Sequence, residues 1–171
     1  HAVTAVSAAA QGDGLLQIDA AQSADEVARL WAARKALSPA LKHVAPKKIN
    51  EDVVVPVSKL PALVAKTREL AAESGIAIVC FGHAGNGNLH VNLMFDPADA
   101  AQSAQAPRVL SELFATTLAL GGTLSGEHGI GLDKRDFMPQ AIAAPTLDLM
   151  RAVNAQFDPT GILNPGKLLP P

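Results

Sequence analysis

A chain of 171 residues, 49% hydrophobic and 18% charged, with a formal net charge of -2, falls within the about 100–200 residues of one globular domain and is long enough to bury a core. That balance excludes a disordered segment and lacks the basic excess of a nucleic-acid binder, so small molecules are the expected partners. The one cysteine, Cys80, lies in the apolar run IAIVCF; it excludes a disulfide framework and a cysteine metal cluster and suits a reducing, cytoplasmic setting.

No apolar run approaches the about 20 residues of a membrane span, and the N-terminus lacks the basic start and apolar middle of a signal peptide. The expectation is a soluble protein, at most peripheral to a membrane. The chain opens on His1 and runs through HAVTAVSAAAQGDG, which reads as a tag scar or the cut end of something longer.

In chain order, residues 15–20 (LLQIDA) read as a short strand. Ser23 with Glu26 three places on forms a capping box, predicting a helix over 23–37. Pro39 and Pro46 bracket an irregular stretch, and the β-branched DVVVPV predicts a strand ending at Pro56. Ser58 is placed to cap a second helix. Its buried face is Leu60, Leu63, Val64, Thr67, Leu70 and Ala71, and its stop is Gly75.

The run 76–81 is wholly apolar and of strand length, as expected of a central strand. Residues 89–95 (LHVNLMF) alternate, placing His90, Asn92 and Met94 on one face and Val91, Leu93 and Phe95 on the other. A helix over 107–120 with Pro107 in its first turn ends at Gly121 and Gly122, and a last helix over about 145–157 precedes a tail of turn residues. The order of elements predicts one α+β domain spanning 1–171, a small, mostly antiparallel sheet with helices on one face, ferredoxin-like in part. The short return between 76–81 and 89–95 requires antiparallel pairing.

Chemistry concentrates in two glycine-rich loops. In GHAGNGNLHVN the turn brings His83 and His90 to one end of the sheet, and the glycines between them remove side chains that would crowd a ligand. The plainer reading is a solvated turn that happens to hold histidines. A phosphate loop fails, because GNGNLH lacks the third glycine of G-x-G-x-x-G and leads into a strand rather than a helix. A metal site with two imidazoles and one carboxylate fits better, with Glu127 of SGEHGIG as third ligand and His128 left free. Residue by residue, Ser125 or Glu127 serves equally well as a helix cap ahead of IGLDKRDFM, and both readings stand at this point.

Taken together and in order, GHAGNGNLHVN, GGTLSGEHGIGLDK and FDPTGILNPGK resemble the C-terminal substrate domain of FAD-linked oxidases, which includes D-lactate dehydrogenase, the glycolate oxidase D subunit and D-2-hydroxyglutarate dehydrogenase. The upstream LWAARKALSPALKHVAPKKINEDVVVPVSKLPALV looks like the D-lactate and glycolate members, and the likeness runs from about residue 14. The resemblance implies a divalent metal, zinc by preference, held by His83, His90 and Glu127, with His128 as general base. It also implies Arg34 and Asn92 as substrate contacts, and Asn164 and Lys167 on the side facing an upstream FAD-binding domain absent from this chain. Asn86 departs from the family pattern, in which an aspartate usually stands there; the amide accepts a hydrogen bond but supplies no charge.

The activity implied is oxidation of a D-2-hydroxy acid to the 2-oxo acid with hydride transfer to FAD, the electron acceptor being unspecified and a homodimer left open. This chain alone is expected to be inactive and colourless. Two alternatives are a metal-dependent hydrolase, since the same residues can activate water, and a non-catalytic α+β ligand-binding module.

Overall fold

Ser23 caps its helix in both directions: its hydroxyl accepts from the Glu26 N–H at 3.3 Å, and the Glu26 carboxylate accepts from the Ser23 N–H at 3.1 Å. This computed structural model describes residues 2–13 and 15–171. The chain divides into two compact units, 1–41 and 42–171.

The first unit holds helix α1 (Ala2–Ala9), in the alanine-rich start, and α2 (Ala24–Ala40). The strand expected over 15–20 does not form; Leu16 is 99% exposed, and among the described residues no strand pairs with this stretch. A short apolar run without a partner gains nothing from being extended. α2 runs three residues past the expected Leu37, carrying Pro39 in its last turn. Its Val27, Leu30 and Trp31 are exposed.

The second unit is built on three strands, β1 (Lys47–Val54), β2 (Ala77–His83) and β3 (Asn88–Phe95), in the order β1-β3-β2 with both pairings antiparallel. Helix α3 (Leu60–Ser74) links β1 to β2, and α4 (Ala100–Ala119) follows β3. This is the β-α-β-β-α run of a ferredoxin-like fold, in agreement with the α+β expectation. Short helices α5 (Gly131–Lys134) and α6 (Met138–Ala141) and the longer α7 (Ala144–Phe157) complete it. Among the described residues no helix is long and apolar enough to cross a membrane.

β2, expected at the centre, is an edge strand, and β3 holds the middle, buried at all eight positions. Hydrophobic content reports which faces are covered, not how many strands lie alongside, which explains the inversion. The alternation read in β3 is observed, but its polar face is enclosed as well as its apolar one.

The core lies between the sheet and α3 and α4, with Val53, Val91 and Leu93 facing Leu63, Leu70, Val109 and Phe114. Leu63, Thr67 and Leu70 form the expected buried face of α3, and Gly75 ends the helix at φ 69. Ser58 does not cap it: Ser58 lies in a tight turn, Val57–Lys59, and Pro61 occupies the first helical turn. α4 begins well before Pro107, at Ala100, because Asp99 caps it by accepting from the N–H groups of Ala101 and Gln102 at 2.9 and 3.1 Å. Pro107 is thus inside the helix rather than in its first turn.

Candidate active site

The β2–β3 connection is a single tight turn, Ala84–Asn86, closed by Gly87 at φ 72. A Cβ at Gly87 would lie 1.9 Å from the Val55 carbonyl oxygen, so only glycine lets the turn sit this close to the end of β1. The turn leaves His83 at the end of β2. His90 lies in β3, where its cross-strand partners are Phe81 on β2 and Asp52 on β1. Paired residues share a sheet face, so His83, His90 and Asp52 project the same way.

A second loop reaches this face from beyond α4. Thr123 pairs with Val54, extending the β1 edge by one bridge. The Gly126 N–H then donates to the Asp52 carbonyl at 2.8 Å. Glu127 is thereby brought over the histidines: its Oε1 lies 3.2 Å from His90 Nε2 and 3.8 Å from His83 Nε2. One donor atom from each of the three side chains falls within 4.8 Å of the other two. Ligands bound tetrahedrally at about 2.1 Å from zinc lie about 3.4 Å apart, so this donor set fits a divalent ion with small side-chain adjustment. His128 stacks on His90 with ring centroids 5.4 Å apart.

Under the loop sits a group that sequence reasoning missed. Asp52, with no exposed surface, accepts at Oδ2 from the N–H groups of Gly126 at 3.0 Å and His128 at 2.9 Å, and from that of Glu127 between them. Its Oδ1 accepts from the Ser125 hydroxyl at 3.1 Å and from Lys134 Nζ at 2.7 Å. Lys134 is itself buried; it also donates to the Leu124 carbonyl at 2.9 Å and lies 3.2 Å from Glu51 Oε2. The helix cap expected of Ser125 or Glu127 does not form: the helix ahead begins at Gly131 with no side-chain cap, and the Ser125 Oγ instead accepts from the Gly129 N–H within the loop at 2.8 Å.

The electrostatics follow. Burial pushes the Asp52 carboxyl up, but the Lys134 hydrogen bond and the Glu127 and His128 amides outweigh it and hold the group well below the usual carboxylate range. Burial raises Glu51, with Lys134 only partly offsetting it. Burial also lowers His90, against the pull of Glu127 and with help from the neighbouring His128 and His83. A depressed imidazole is neutral near pH 7, the form that ligates metals.

The remaining expected residues are more dispersed. Asn92 shares the face of His90 but has no exposed surface; its Nδ2 donates to the Val79 carbonyl at 3.0 Å, and its Oδ1 is buried with no hydrogen-bond partner among the described residues. Direct contact with a substrate is not open to it in this conformation. Arg34 is half-buried on α2 of the first unit, whereas the histidines and Glu127 belong to the second. Asn164 and Lys167 lie exposed on the C-terminal tail, in a turn where Asn164 adopts φ 51 and the Lys167 N–H donates to the Asn164 carbonyl at 3.3 Å. Asn86 is exposed at the tip of the β2–β3 turn.

Comparison with known proteins gives this geometry a context. The family described as FAD linked oxidases, C-terminal domain, matches residues 1–168, a longer span than the motifs alone suggest. The chain is 36% identical over 158 residues to the glycolate oxidase subunit GlcD of Bacillus subtilis, covering 92% of this chain and 33% of that protein. It is 36% identical over 151 residues to D-2-hydroxyglutarate dehydrogenase of Stutzerimonas stutzeri, covering 86% and 32%. To the mitochondrial D-lactate dehydrogenase [cytochrome] of Arabidopsis thaliana it is 34% identical over 144 residues, covering 83% and 25%. The chain thus spans a third or less of the length of these relatives. On the family match and these identities, the chain belongs to the C-terminal domain family of FAD-linked oxidases.

Proposed function

We propose that this chain is the substrate- and metal-binding part of a flavin-dependent dehydrogenase that oxidises a D-2-hydroxy acid, of the lactate, glycolate or 2-hydroxyglutarate type, to its 2-oxo acid. The observation that carries the proposal is the convergence of His83, His90 and Glu127 with His128 stacked beside them. The names of the relatives support the substrate class.

A divalent ion at the three donors, zinc being the best match to two imidazoles and a carboxylate, supplies Lewis acidity toward the substrate hydroxyl. His128, beside the donors and 40% exposed at its side chain, takes the hydroxyl proton as general base. Arg34 holds the substrate carboxylate, a role suited to the planar two-pronged guanidinium. Asn92 supports the strand beneath His90 through its bond to Val79. Acceptance of the hydride from the substrate's Cα is the chemistry FAD supplies when bound, mainly to the part of the protein outside this chain. Asn164 and Lys167 face that part, a placement supported by the exposed apolar Phe157, Ile162 and Leu163 nearby in sequence, at 81%, 73% and 66%.

The test is a panel of D-2-hydroxy acids given to the full-length protein with an artificial electron acceptor. Turnover with flavin reduction is expected; a full-length protein that binds no flavin and oxidises none of these acids would overturn the proposal and leave the hydrolase reading.

A further inference from the structure

The Asp52 side chain touches both halves of the reactive loop from beneath. It binds the backbone on either side of Glu127, and its Oδ1 lies 3.5 Å from His128 Nδ1. It does so from a β1 position directly across the ladder from His90. The start of the loop is anchored by Leu124 in the core and by Lys134 on the Leu124 carbonyl; over 126–128 the side chain beneath it is Asp52. Glu127 and His128 are half-exposed at their side chains, and the local backbone bonds to β1 come from Gly126 and Thr123.

Resting on the reading above, we propose that Asp52 is a positioning residue: its carboxylate sets the Glu127 carboxylate over His90 and fixes the orientation and tautomer of the His128 ring. With Nδ1 turned toward a carboxylate, the imidazole carries its proton on Nδ1, and the lone pair of Nε2 is the one presented to the substrate. Lys134, buried against the same carboxylate, is its counter-ion, and its second bond to the Leu124 carbonyl ties the start of the loop to the same point. Gly126 belongs to the device because a Cβ there would lie 2.1 Å from Asn88 Nδ2 and 2.7 Å from Val54 Cγ2, so only glycine lets the three amides close on Asp52. A loop held merely for stability would need the amide contacts alone; the approach of Oδ1 to the His128 ring is what a positioning role adds.

The experiment uses full-length protein labelled with 15N-histidine, the His128 signal being assigned by its loss in His128→Gln. In the wild type the His128 ring should be the Nδ1–H tautomer. In Asp52→Asn that preference should be lost and kcat should fall about 10- to 100-fold, the usual effect of removing such a supporting partner. Zinc affinity should weaken as well, because Glu127 loses its support over His90, so kcat is compared at saturating zinc. A wild-type His128 in the Nε2–H form overturns the proposal, and so does a folded Asp52→Asn protein with unchanged tautomer and kcat. If Asp52→Asn does not fold, the wild-type spectrum alone decides. Should the full-length protein oxidise no 2-hydroxy acid, the functional reading fails on that assay while the tautomer still tests the role of Asp52.

Discussion

Asp52 on β1 stands directly across from His90 on β3, and the carboxylate of the one gathers the loop whose Glu127 reaches 3.2 Å from the imidazole of the other. The reactive groups are therefore assembled from three sheet positions and one loop, and the loop is held by Leu124 in the core at its start and by the buried Asp52 carboxylate beyond it.

The ion pair of that carboxylate with Lys134 should be costly to break from one side. Lys134→Met leaves Asp52 and Glu51 buried without their cation, and removing one partner of a buried pair typically costs about 3–5 kcal/mol. Chemical denaturation of the variant should show a loss of this size. A loss no larger than that of a surface substitution would mean that the pair is not buried as described.

The two carboxyls beside Lys134 should behave oppositely with pH. Asp52 is held below its ordinary value, so its stabilising contribution is complete above about pH 5 and is lost as the pH falls below the unfolded carboxylate's value of about 3.9 toward the folded one. Glu51 is raised by burial, so its ionisation works against the fold as the pH rises through the carboxylate range. Asp52→Asn should therefore destabilise strongly at pH 7, with the gap to wild type narrowing in acid, whereas Glu51→Gln should cost less at pH 7. Unfolding midpoints from pH 3 to 7 would check this; a gap for Asp52→Asn that widens in acid would reverse the assignment.

Gly126→Ala tests the fit of the loop. The added carbon would meet Asn88 Nδ2 and Val54 Cγ2, so the loop must lift from β1 and carry Glu127 off His90. The expected outcome is weaker zinc binding by titration, with the sheet's circular dichroism preserved. Wild-type affinity would show that Glu127 does not depend on this approach.

His128→Ala in the full-length protein should lower kcat by about 10²–10⁴-fold, the usual worth of a general base, while bound metal is retained, because His128 is not among the three converging donors. An unchanged kcat would remove His128 from the chemistry.

What could be read from the sequence was local. The capping box at Ser23, the left-handed stop at Gly75 and the hairpin joining His83 to His90 each follow from a few adjacent residues. The pairing of both histidines with Glu127 needed the ordered motifs of the family, because the loop approaches from 37 residues further along the chain than His90. Asp52 escaped notice because an acidic pair before VVVP looks like an ordinary strand start; only the fold shows that it is buried and surrounded by amides from residues 126–128. The strand expected at 15–20 and the central place given to β2 failed for one reason, that apolar content cannot say which neighbour, if any, lies alongside.

The most direct test is metal content by elemental analysis of the full-length protein, compared with His90→Ala and Glu127→Gln variants that remain folded. One divalent ion per chain in the wild type, lost or much weakened in both variants, is the predicted result. A metal-free wild type, or variants that keep the full complement, would contradict a metal centre at His83, His90 and Glu127.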